Sequence, residues 1–271
     1  MNTCAYCGDE YKYKELTKEH TVNKSLIDFM ELQKAPGYAS FSDNYTINYL
    51  TTKDVCASCN NGALSRLDQY SIEFMEINNL LDLHIDENTK LDVKFDFDLL
   101  SKWLLKTIYN SERKNGYAEV ENKMYIYKKH ILGEENIPFE IYLEILKDVP
   151  KEKIHQHNKS VDKLKPFLKL GNVIFNSHNG IEYLKSFTVN NFMFYIFILP
   201  SKESNAKAIS NQVKVFRNLY KDEGIKLFNL KKNYKYFSAS RRTIIDILKD
   251  TYQGEKKFID HADNIKISNK S

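Results

Sequence analysis

The sequence predicts an α+β protein built from two parts, a small metal-stapled module in residues 1–75 and an α+β domain with an antiparallel sheet in residues 76–271. The first observation is that all four cysteines lie in two Cys-x-x-Cys pairs, at positions 4–7 and 56–59. The second is that a long helical pattern and several apolar stretches typical of strands follow after the second pair. The length of 271 residues allows one large domain or two ordinary ones.

The composition is that of an ordinary soluble globular chain, with 42% hydrophobic and 28% charged residues. No apolar run in the sequence is long enough to span a bilayer. The N-terminal segment MNTCAYCGDEYKYK lacks the apolar core and the cleavage site of a signal peptide. We therefore expect a cytoplasmic protein without a membrane partner. Thiols stay reduced in that compartment, so two Cys-x-x-Cys pairs favour a bound metal over disulfides.

The two cysteine pairs predict one structural zinc site. Two thiolates two residues apart can grip one face of a tetrahedral zinc ion, and a second pair supplies the other two ligands. The alternative, four unrelated buried thiols, would seldom place every cysteine at this spacing. A module of this size buries too little apolar surface to be stable alone, and zinc binding, worth on the order of 10 kcal/mol in small fingers, would compensate. The predicted zinc ligands are Cys4, Cys7, Cys56 and Cys59.

Between the pairs lies the tetrapeptide Thr17-Lys18-Glu19-His20, on a predicted short strand or hairpin arm. A carboxylate beside a histidine, framed by two cysteine pairs and followed by an amide side chain, is typical of a metal-dependent phosphodiesterase. Adjacent strand residues point to opposite faces, so Glu19 and His20 serve one site only if the chain bends there. Alone, a Glu-His pair would be interpreted as a surface dipeptide. Its place between the cysteine pairs favours the functional interpretation.

The remaining elements of this module are shorter. The segment between the cysteine pairs predicts a helical turn near Ile27, a break at Pro36 and a weak strand after it. After the second pair, Asn60 and Asn61 open a predicted helix. Its apolar positions are Leu64, Leu67, Ile72 and Met75. Either asparagine could be the N-cap of this helix, or one of them could ligate a catalytic cation across from Glu19.

Taken together, these residues resemble the HNH endonuclease family of the zinc-stapled ββα-metal type. The matching residues are Cys4-x-x-Cys7-Gly8, Thr17-x-Glu19-His20, the run from Leu50 to Cys56, Cys59-Asn60-Asn61 and Leu67-Asp68. The resemblance covers about residues 1–75. It implies that Glu19 and Asn60 ligate a catalytic Mg²⁺ or Mn²⁺ and that His20 is the general base. It also implies that the cysteine-held zinc does not touch the substrate.

The function implied by this resemblance is a divalent-metal-dependent endonuclease that hydrolyses DNA, with duplex DNA as the expected substrate. A neutral histidine is a suitable base at pH 7, and a hard cation prefers oxygen ligands while keeping several waters. Where the family has an asparagine that ties down the loop of the histidine, this chain has Thr51, whose hydroxyl can make one such hydrogen bond. Asn61 is the other predicted supporting residue.

Two kinds of function remain open at this point. The first is a nuclease, for which the resemblance offers restriction, mobile-element homing or an anti-phage effector as biological roles. The second, from a different class, is a zinc-stapled nucleic-acid-binding or regulatory protein whose catalytic site has been lost. The presence of Glu19, His20 and Asn60 together favours the enzyme.

The second part of the chain carries no further motif, and its elements are predicted from periodicity. A helix with the lone Trp103 as a core anchor is predicted at 97–109, and 139–146 could be strand or helix. The other predicted elements are strands at 173–175, 181–189 and 191–199, the last central in the sheet, and helices at 206–220 and 241–251. Residues 76–271 are also the candidate surface for self-association or for a partner protein.

The charge is divided unequally between the two parts. Residues 1–75 contain 7 Lys and Arg against 10 Asp and Glu, a net charge of −3, which leaves +7 for residues 76–271. Aromatic residues lie among the basic ones near the C-terminus, which predicts a phosphate-contacting face with stacking rings. The alternative is an ordinary solvated surface. The predicted nucleic-acid contacts are Arg66, Lys231, Lys232, Lys235, Arg241 and Arg242.

Overall fold

The structure, a computed structural model of the chain, describes residues 1–32, 37–39, 44–46, 51–114, 123–153, 165–172, 183–200, 203–220 and 223–249. Within these residues, helices and strands are mixed and the principal sheet is antiparallel, as the α+β prediction requires. The strands are β1 (Asn2–Thr3), β2 (Glu10–Tyr11), β3 (Leu16–His20), β4 (Gly37–Ala39), β5 (Asn44–Thr46), β6 (Thr51–Cys56), β7 (Lys90–Leu91), β8 (Phe139–Ile145), β9 (Leu168–Asn172), β10 (Leu184–Val189), β11 (Phe192–Ile198), β12 (Phe228–Asn229) and β13 (Phe237–Ser238). The helices are α1 (Lys24–Phe29), α2 (Ala57–Cys59), α3 (Ser65–Ile77), α4 (Phe97–Lys114), α5 (Lys128–Leu132), α6 (Ala206–Leu219) and α7 (Ile244–Lys249).

The first part of the chain is organised by the antiparallel pair β3–β6, which runs directly into helix. The register of this pair shifts between Thr17 and Glu19, so strict alternation breaks at this point. Leu16 and Glu19, three residues apart, are both buried as a result. After β6, helix α2 passes through a π-helical turn at Asn60–Leu64 into α3. The local order is therefore strand, strand, helix.

Helix α4 is the central element of the fold. The amphipathic helix predicted at 97–109 extends to Lys114, and it is buried on nearly every side, including polar positions. Trp103 is a core anchor, as predicted, with its ring 5.5 Å from that of Phe187 on the sheet. On the opposite side, Tyr109 stacks edge-on against Tyr6 at 5.2 Å. The helix therefore lies between the N-terminal strands and the five-stranded sheet.

The main sheet has the order β12-β8-β11-β10-β9, and each neighbouring pair is antiparallel. β11 was predicted to be central in the sheet, and this is confirmed by its place in the strand order and by the burial of all its residues. Its alternate residues face two different apolar clusters, because successive side chains of a strand point to opposite sides. Phe194 packs on the α4 side and Phe197 against Phe216 of α6. The ambiguous segment at 139–146 is a strand, and the strand predicted at 173–175 lies outside the described residues.

The predicted division of the chain at 75/76 falls inside α3, just before that helix ends. Phe74 of this helix packs against Trp103 at 6.0 Å and against Phe192 and Phe194 at 6.1 and 6.0 Å. One apolar cluster therefore extends from the cysteine pairs to the main sheet. None of the helices in the described part of the chain combines the length and the apolar composition that a bilayer crossing requires.

A buried ion pair links α4 to the sheet and gives the first prediction. Lys185 and Glu112 are 3% and 5% exposed, and Nζ lies 2.5 Å from Oε1. We expect Lys185→Met to lower the free energy of unfolding by about 3–5 kcal/mol, because it leaves Glu112 buried without its cation. The double variant Lys185→Met/Glu112→Leu should recover most of the loss. Urea unfolding measures both, and equal losses in the two variants would contradict the prediction.

Candidate metal centre and active site

The four cysteines form a compact cluster. Their sulfur atoms all lie within 4.8 Å of one another, and the Sγ atoms of Cys7 and Cys56 are 3.9 Å apart. A tetrahedral zinc ion with Zn–S bonds of about 2.3 Å separates its sulfurs by about 3.8 Å. The cysteine set therefore fits a bound metal ion, and it is compatible with structural zinc. No other group of three or more His, Cys, Asp or Glu side chains in the described ranges converges in this way.

Local backbone geometry prepares the thiols for a cation. Gly8 has φ +85°, a conformation that favours glycine, and its N–H donates to the carbonyl of Cys4 at 3.1 Å. The backbone N–H of Cys56 donates to Cys4 Sγ at 3.3 Å. Burial raises the pKa of the Cys56 thiol, but donation from the Cys59 N–H and from the Tyr11 hydroxyl lowers it, and the balance is a pKa of about 7. Such a thiol ionises readily when a metal approaches.

The start of the helix after the second cysteine pair differs from the prediction. The N-cap is Cys56, whose Sγ accepts from the backbone N–H of Cys59 at 3.4 Å. Asn60 and Asn61 lie one turn further on, inside the π-helical turn, so the prediction that one of them caps the helix is wrong. The second cysteine pair itself supplies, through Cys56 Sγ, the hydrogen-bond acceptor that a capping asparagine would otherwise provide. Gly62, with φ −97° and ψ −106°, marks the kink in this turn.

Asn60 joins the helix to the strand that carries Glu19 and His20. Its amide nitrogen donates to Thr17 Oγ1 at 2.8 Å and to the Lys18 carbonyl at 3.2 Å. In the described contacts it does not reach Glu19, the residue with which it was predicted to share a cation. Asn61 is exposed, and Thr51 is the Cα partner of His20 in the strand pair.

Glu19 faces the central helix and takes its polar partners from it. The side chain is 4% exposed, and Oε1 accepts from Asn110 Nδ2 at 3.0 Å. The same oxygen lies 2.9 Å from Lys106 Nζ. Lys106 Nζ also makes a short contact with Asp68 Oδ1 on α3. The residue that shares a cation with Glu19 is therefore Asp68, and the cation is the ammonium of Lys106.

The central helix also holds the strand pair in position through Asn110 and Arg113. Asn110 Nδ2 donates to the His20 carbonyl at 2.9 Å, and its Oδ1 accepts from the Tyr6 hydroxyl at 2.6 Å. Arg113 donates to the same Oδ1 at 2.8 Å and to Thr52 Oγ1 at 3.2 Å. These contacts connect α4 to both strands of the pair, to β3 at His20 and to β6 at Thr52.

His20 is half-buried, unlike its neighbour Glu19. Burial lowers the pKa of its imidazole below the ordinary value of 6.5, the nearby Glu19 carboxylate acts in the opposite direction, and Lys24 and Lys106 add to the lowering. The imidazole is therefore neutral at neutral pH. A neutral imidazole can accept a proton, which is the property that the role of general base requires.

A divalent cation at this centre would take its protein ligands from Glu19 and Asp68. Two carboxylates that converge on one positive group are the oxygen donors that Mg²⁺ and Mn²⁺ prefer. Asn60, the predicted second ligand, bonds Thr17 through its amide nitrogen, whereas the amide oxygen is the atom that would ligate a cation. The carboxylates at this centre are donors of the type that a hard cation prefers, and Asp68 is a donor to which the sequence analysis assigned no role.

The predicted nucleic-acid contacts lie in different environments. Arg66, Lys232, Lys235 and Arg241 are exposed. The ammonium of Lys231 already has a partner inside the protein, because its Nζ donates to the Phe139 carbonyl at 2.6 Å.

Arg242 is 7% exposed, and this burial contradicts its prediction as a phosphate contact. Its guanidinium lies 3.4 Å from the Tyr195 hydroxyl and 3.9 Å from Glu144, which is fully buried. A buried carboxylate is stable only when it is paired, and Arg242 contributes to that pairing together with Ser240.

Sequence reasoning missed Lys106, Asn110 and Asp68. The first two lie three and seven residues after the buried Trp103, the spacing of positions on neighbouring turns of one helix. A lysine at helical spacing from a buried tryptophan was the signal that could have pointed to an internal partner. Asp68 was among the residues of the resemblance, but it was assigned no role.

Comparison with known proteins identifies no relative: no family model, no curated protein and no solved structure matches this chain. The resemblance to HNH endonucleases therefore rests on the sequence motifs alone.

Loss of the cysteine-bound metal gives the second prediction. Cys56→Ser should abolish binding of one zinc ion per chain and lower the free energy of unfolding by more than about 4 kcal/mol, since it removes a metal ligand from a shared core. Because the cluster packs through Tyr6 and Tyr109 onto α4, the fluorescence of Trp103 should shift to the red as well. Metal analysis and fluorescence check both effects. Ser58→Ala, an exposed change inside the same pair, is the matched control, and full zinc content in Cys56→Ser would contradict the assignment.

Proposed function

We propose that this chain is a divalent-metal-dependent endonuclease of the HNH type that hydrolyses phosphodiester bonds of DNA. The observation that carries the proposal is the arrangement of β3, β6 and the helix that follows. The Glu19-His20 dipeptide lies on a strand paired with β6, and β6 ends in the four-cysteine cluster. Asn60, in the next turn, is bonded back to the first strand. This strand–strand–helix order is what the resemblance implies.

In the proposed reaction each side chain has a separate task. The neutral imidazole of His20 accepts a proton from the water that attacks phosphorus, the bond from phosphorus to the leaving oxygen breaks, and solvent water protonates that oxygen. Glu19 and Asp68 would hold the divalent cation, which would neutralise part of the phosphoryl charge. Asn60 and Asn110 bond to the Lys18 and His20 carbonyls on either side of Glu19, which holds the strand in register with the helices.

DNA is the proposed substrate, with duplex DNA as the first candidate. The net charge of +7 in residues 76–271 favours a polyanion at that surface. Lys231 and Lys232 line an open cleft of about 680 Å³ together with Lys94, Phe95 and Tyr234. Lysines next to aromatic rings suit phosphates and unstacked bases. Cleavage assays on duplex DNA, single-stranded DNA and RNA distinguish the substrate classes.

The second candidate is a zinc-stapled nucleic-acid-binding protein that does not cleave. One observation favours it: the carboxylate of Glu19 is already neutralised by Lys106 inside the protein. In this case the wild-type chain binds DNA with a strong salt dependence and shows no nicking with either Mg²⁺ or Mn²⁺.

Removal of the proposed base gives the third prediction. His20→Ala should lower the rate of plasmid nicking in Mg²⁺ or Mn²⁺ by about 10²–10⁴-fold, because it removes the proposed general base. Binding of DNA should persist, since the change removes no proposed metal ligand. Asn61→Ala, an exposed change in the neighbouring turn, should leave the rate within about two-fold, as expected for surface positions.

The pH profile provides a second readout of the same prediction. The active form is the neutral imidazole, so activity falls as His20 becomes protonated. Because burial lowers the pKa of His20, the acid limb should lie below the ordinary value of 6.5. A limb above that value, or wild-type nicking by His20→Ala, would exclude His20 as the base.

The exposed lysines give the fourth prediction. Lys232→Glu with Lys235→Glu should weaken DNA binding and reduce the slope of log affinity against log salt by about two, if each lysine contacts one phosphate. The matched control is Lys207→Glu with Lys214→Glu, an equal charge change on exposed positions of α6. Fluorescence anisotropy at several salt concentrations measures the slopes. Equal slopes in the two double variants would mean that only net charge matters.

A further inference from the structure

Lys106 is a buried cation held between two carboxylates. Its side chain is 2% exposed, on the side of α4 that faces the N-terminal strands. Nζ lies 2.9 Å from Oε1 of Glu19, which is 4% exposed, and it is in short contact with Oδ1 of Asp68. The two carboxylates come from β3 and α3, so the ammonium joins three separate elements. Burial of a lysine is uncommon and requires this kind of pairing.

The charges of this group do not balance. Two carboxylates and one ammonium have a net charge of −1, whereas a divalent cation in the same place would give zero. Asn110, the other polar partner of Glu19 in the described contacts, is neutral. Asp68 keeps 25% of its side chain exposed, so the group borders solvent at this carboxylate. The group therefore has a formal negative charge and one member in contact with solvent.

We propose that Lys106 is the resident cation of this site, and that a divalent cation binds Glu19 and Asp68 by taking the place of its ammonium. The ligand class is a hard divalent ion such as Mg²⁺ or Mn²⁺, and only its use in catalysis rests on the proposed function above. The flexible four-carbon stem of lysine allows the ammonium to move while α4 stays packed. Lys106 is thus a positioning residue that holds the carboxylates together before the metal arrives.

Competition between the two cations has a measurable consequence. While the ammonium remains, a divalent ion must displace a positive charge that is already in contact with both ligands. Removing that charge should therefore strengthen metal binding, although it weakens the protein in the absence of metal. A lysine that served only to stabilise the fold would show the second effect without the first.

The test is Mn²⁺ binding to the zinc-loaded full chain, followed by electron paramagnetic resonance of free Mn²⁺. Lys106→Met should bind Mn²⁺ at least about ten-fold more tightly than the wild type, because one unit of repulsive charge is removed next to the ion. The matched control is Lys102→Met, which removes a lysine one turn earlier in the same helix, where its partner Asp98 is exposed. This control should bind Mn²⁺ as the wild type does.

A second variant locates the binding site. Adding Glu19→Gln to Lys106→Met should abolish the gain in Mn²⁺ affinity. If the gain survives that change, or if folded Lys106→Met binds no more tightly than the wild type, the proposal is wrong.

Folding of Lys106→Met provides a further measurement. If the variant is unfolded without metal, Mn²⁺ should restore its circular dichroism spectrum and its thermal transition, because the ion replaces the missing charge. Failure of Mn²⁺ to restore the fold would overturn the proposal.

Mn²⁺ binding and DNA nicking are measured in separate experiments, so the two proposals can fail independently. If Mn²⁺ affinity rises in Lys106→Met while no variant nicks DNA, the cation exchange is correct and the proposed nuclease function is wrong. If wild-type nicking depends on His20 but Lys106→Met gains no affinity, the nuclease stands and the role of Lys106 is structural.

Discussion

The burial of α4 on nearly every side is the constraint on which the rest of the structure depends. A helix between two layers has little solvent for its polar side chains, so each of them must find a partner inside the protein. Lys106 finds Glu19 and Asp68, Asn110 finds Glu19 and the His20 carbonyl, and Glu112 finds Lys185. Helix α4 lies far from Glu19 and His20 along the chain, yet its buried polar side chains fix the position of the candidate active site.

The cysteine cluster and the candidate active site are joined through the same short strands. β6 ends at Cys56, and its partner β3 carries Glu19 and His20. A metal ion that holds the cysteines together would fix one end of this strand pair. Helix α4 fixes both strands through the hydrogen bonds of Asn110 and Arg113. Preorganisation of this kind favours chemistry in which small displacements are costly. A small unit with little apolar surface needs both constraints.

The elements that the sequence predicted well are those set by local rules. The cysteine spacing predicted the metal-binding cluster, and the nearly all-apolar run at 191–199 predicted the central strand. The residues it missed depend on contacts between distant parts of the chain. Nothing local to Lys106 shows that Glu19 lies opposite it, and nothing local to Arg242 shows that it lies beside a buried glutamate. The prediction that Asn60 or Asn61 caps the helix failed because Cys56, with its sulfur as acceptor, occupies the N-cap position.

The contacts of Phe74 have a consequence for how residues 1–75 could be reused by evolution. Its ring belongs to the helix of the candidate catalytic unit, yet it packs on Trp103 and on Phe192 and Phe194 of the central strand. A gene fragment ending at codon 75 would encode a helix with its most buried ring uncovered and a glutamate without its lysine. Recombination could therefore not transfer these residues alone into another protein with their contacts intact. Lineages that carry it are expected to inherit both parts together and to diversify at the surface.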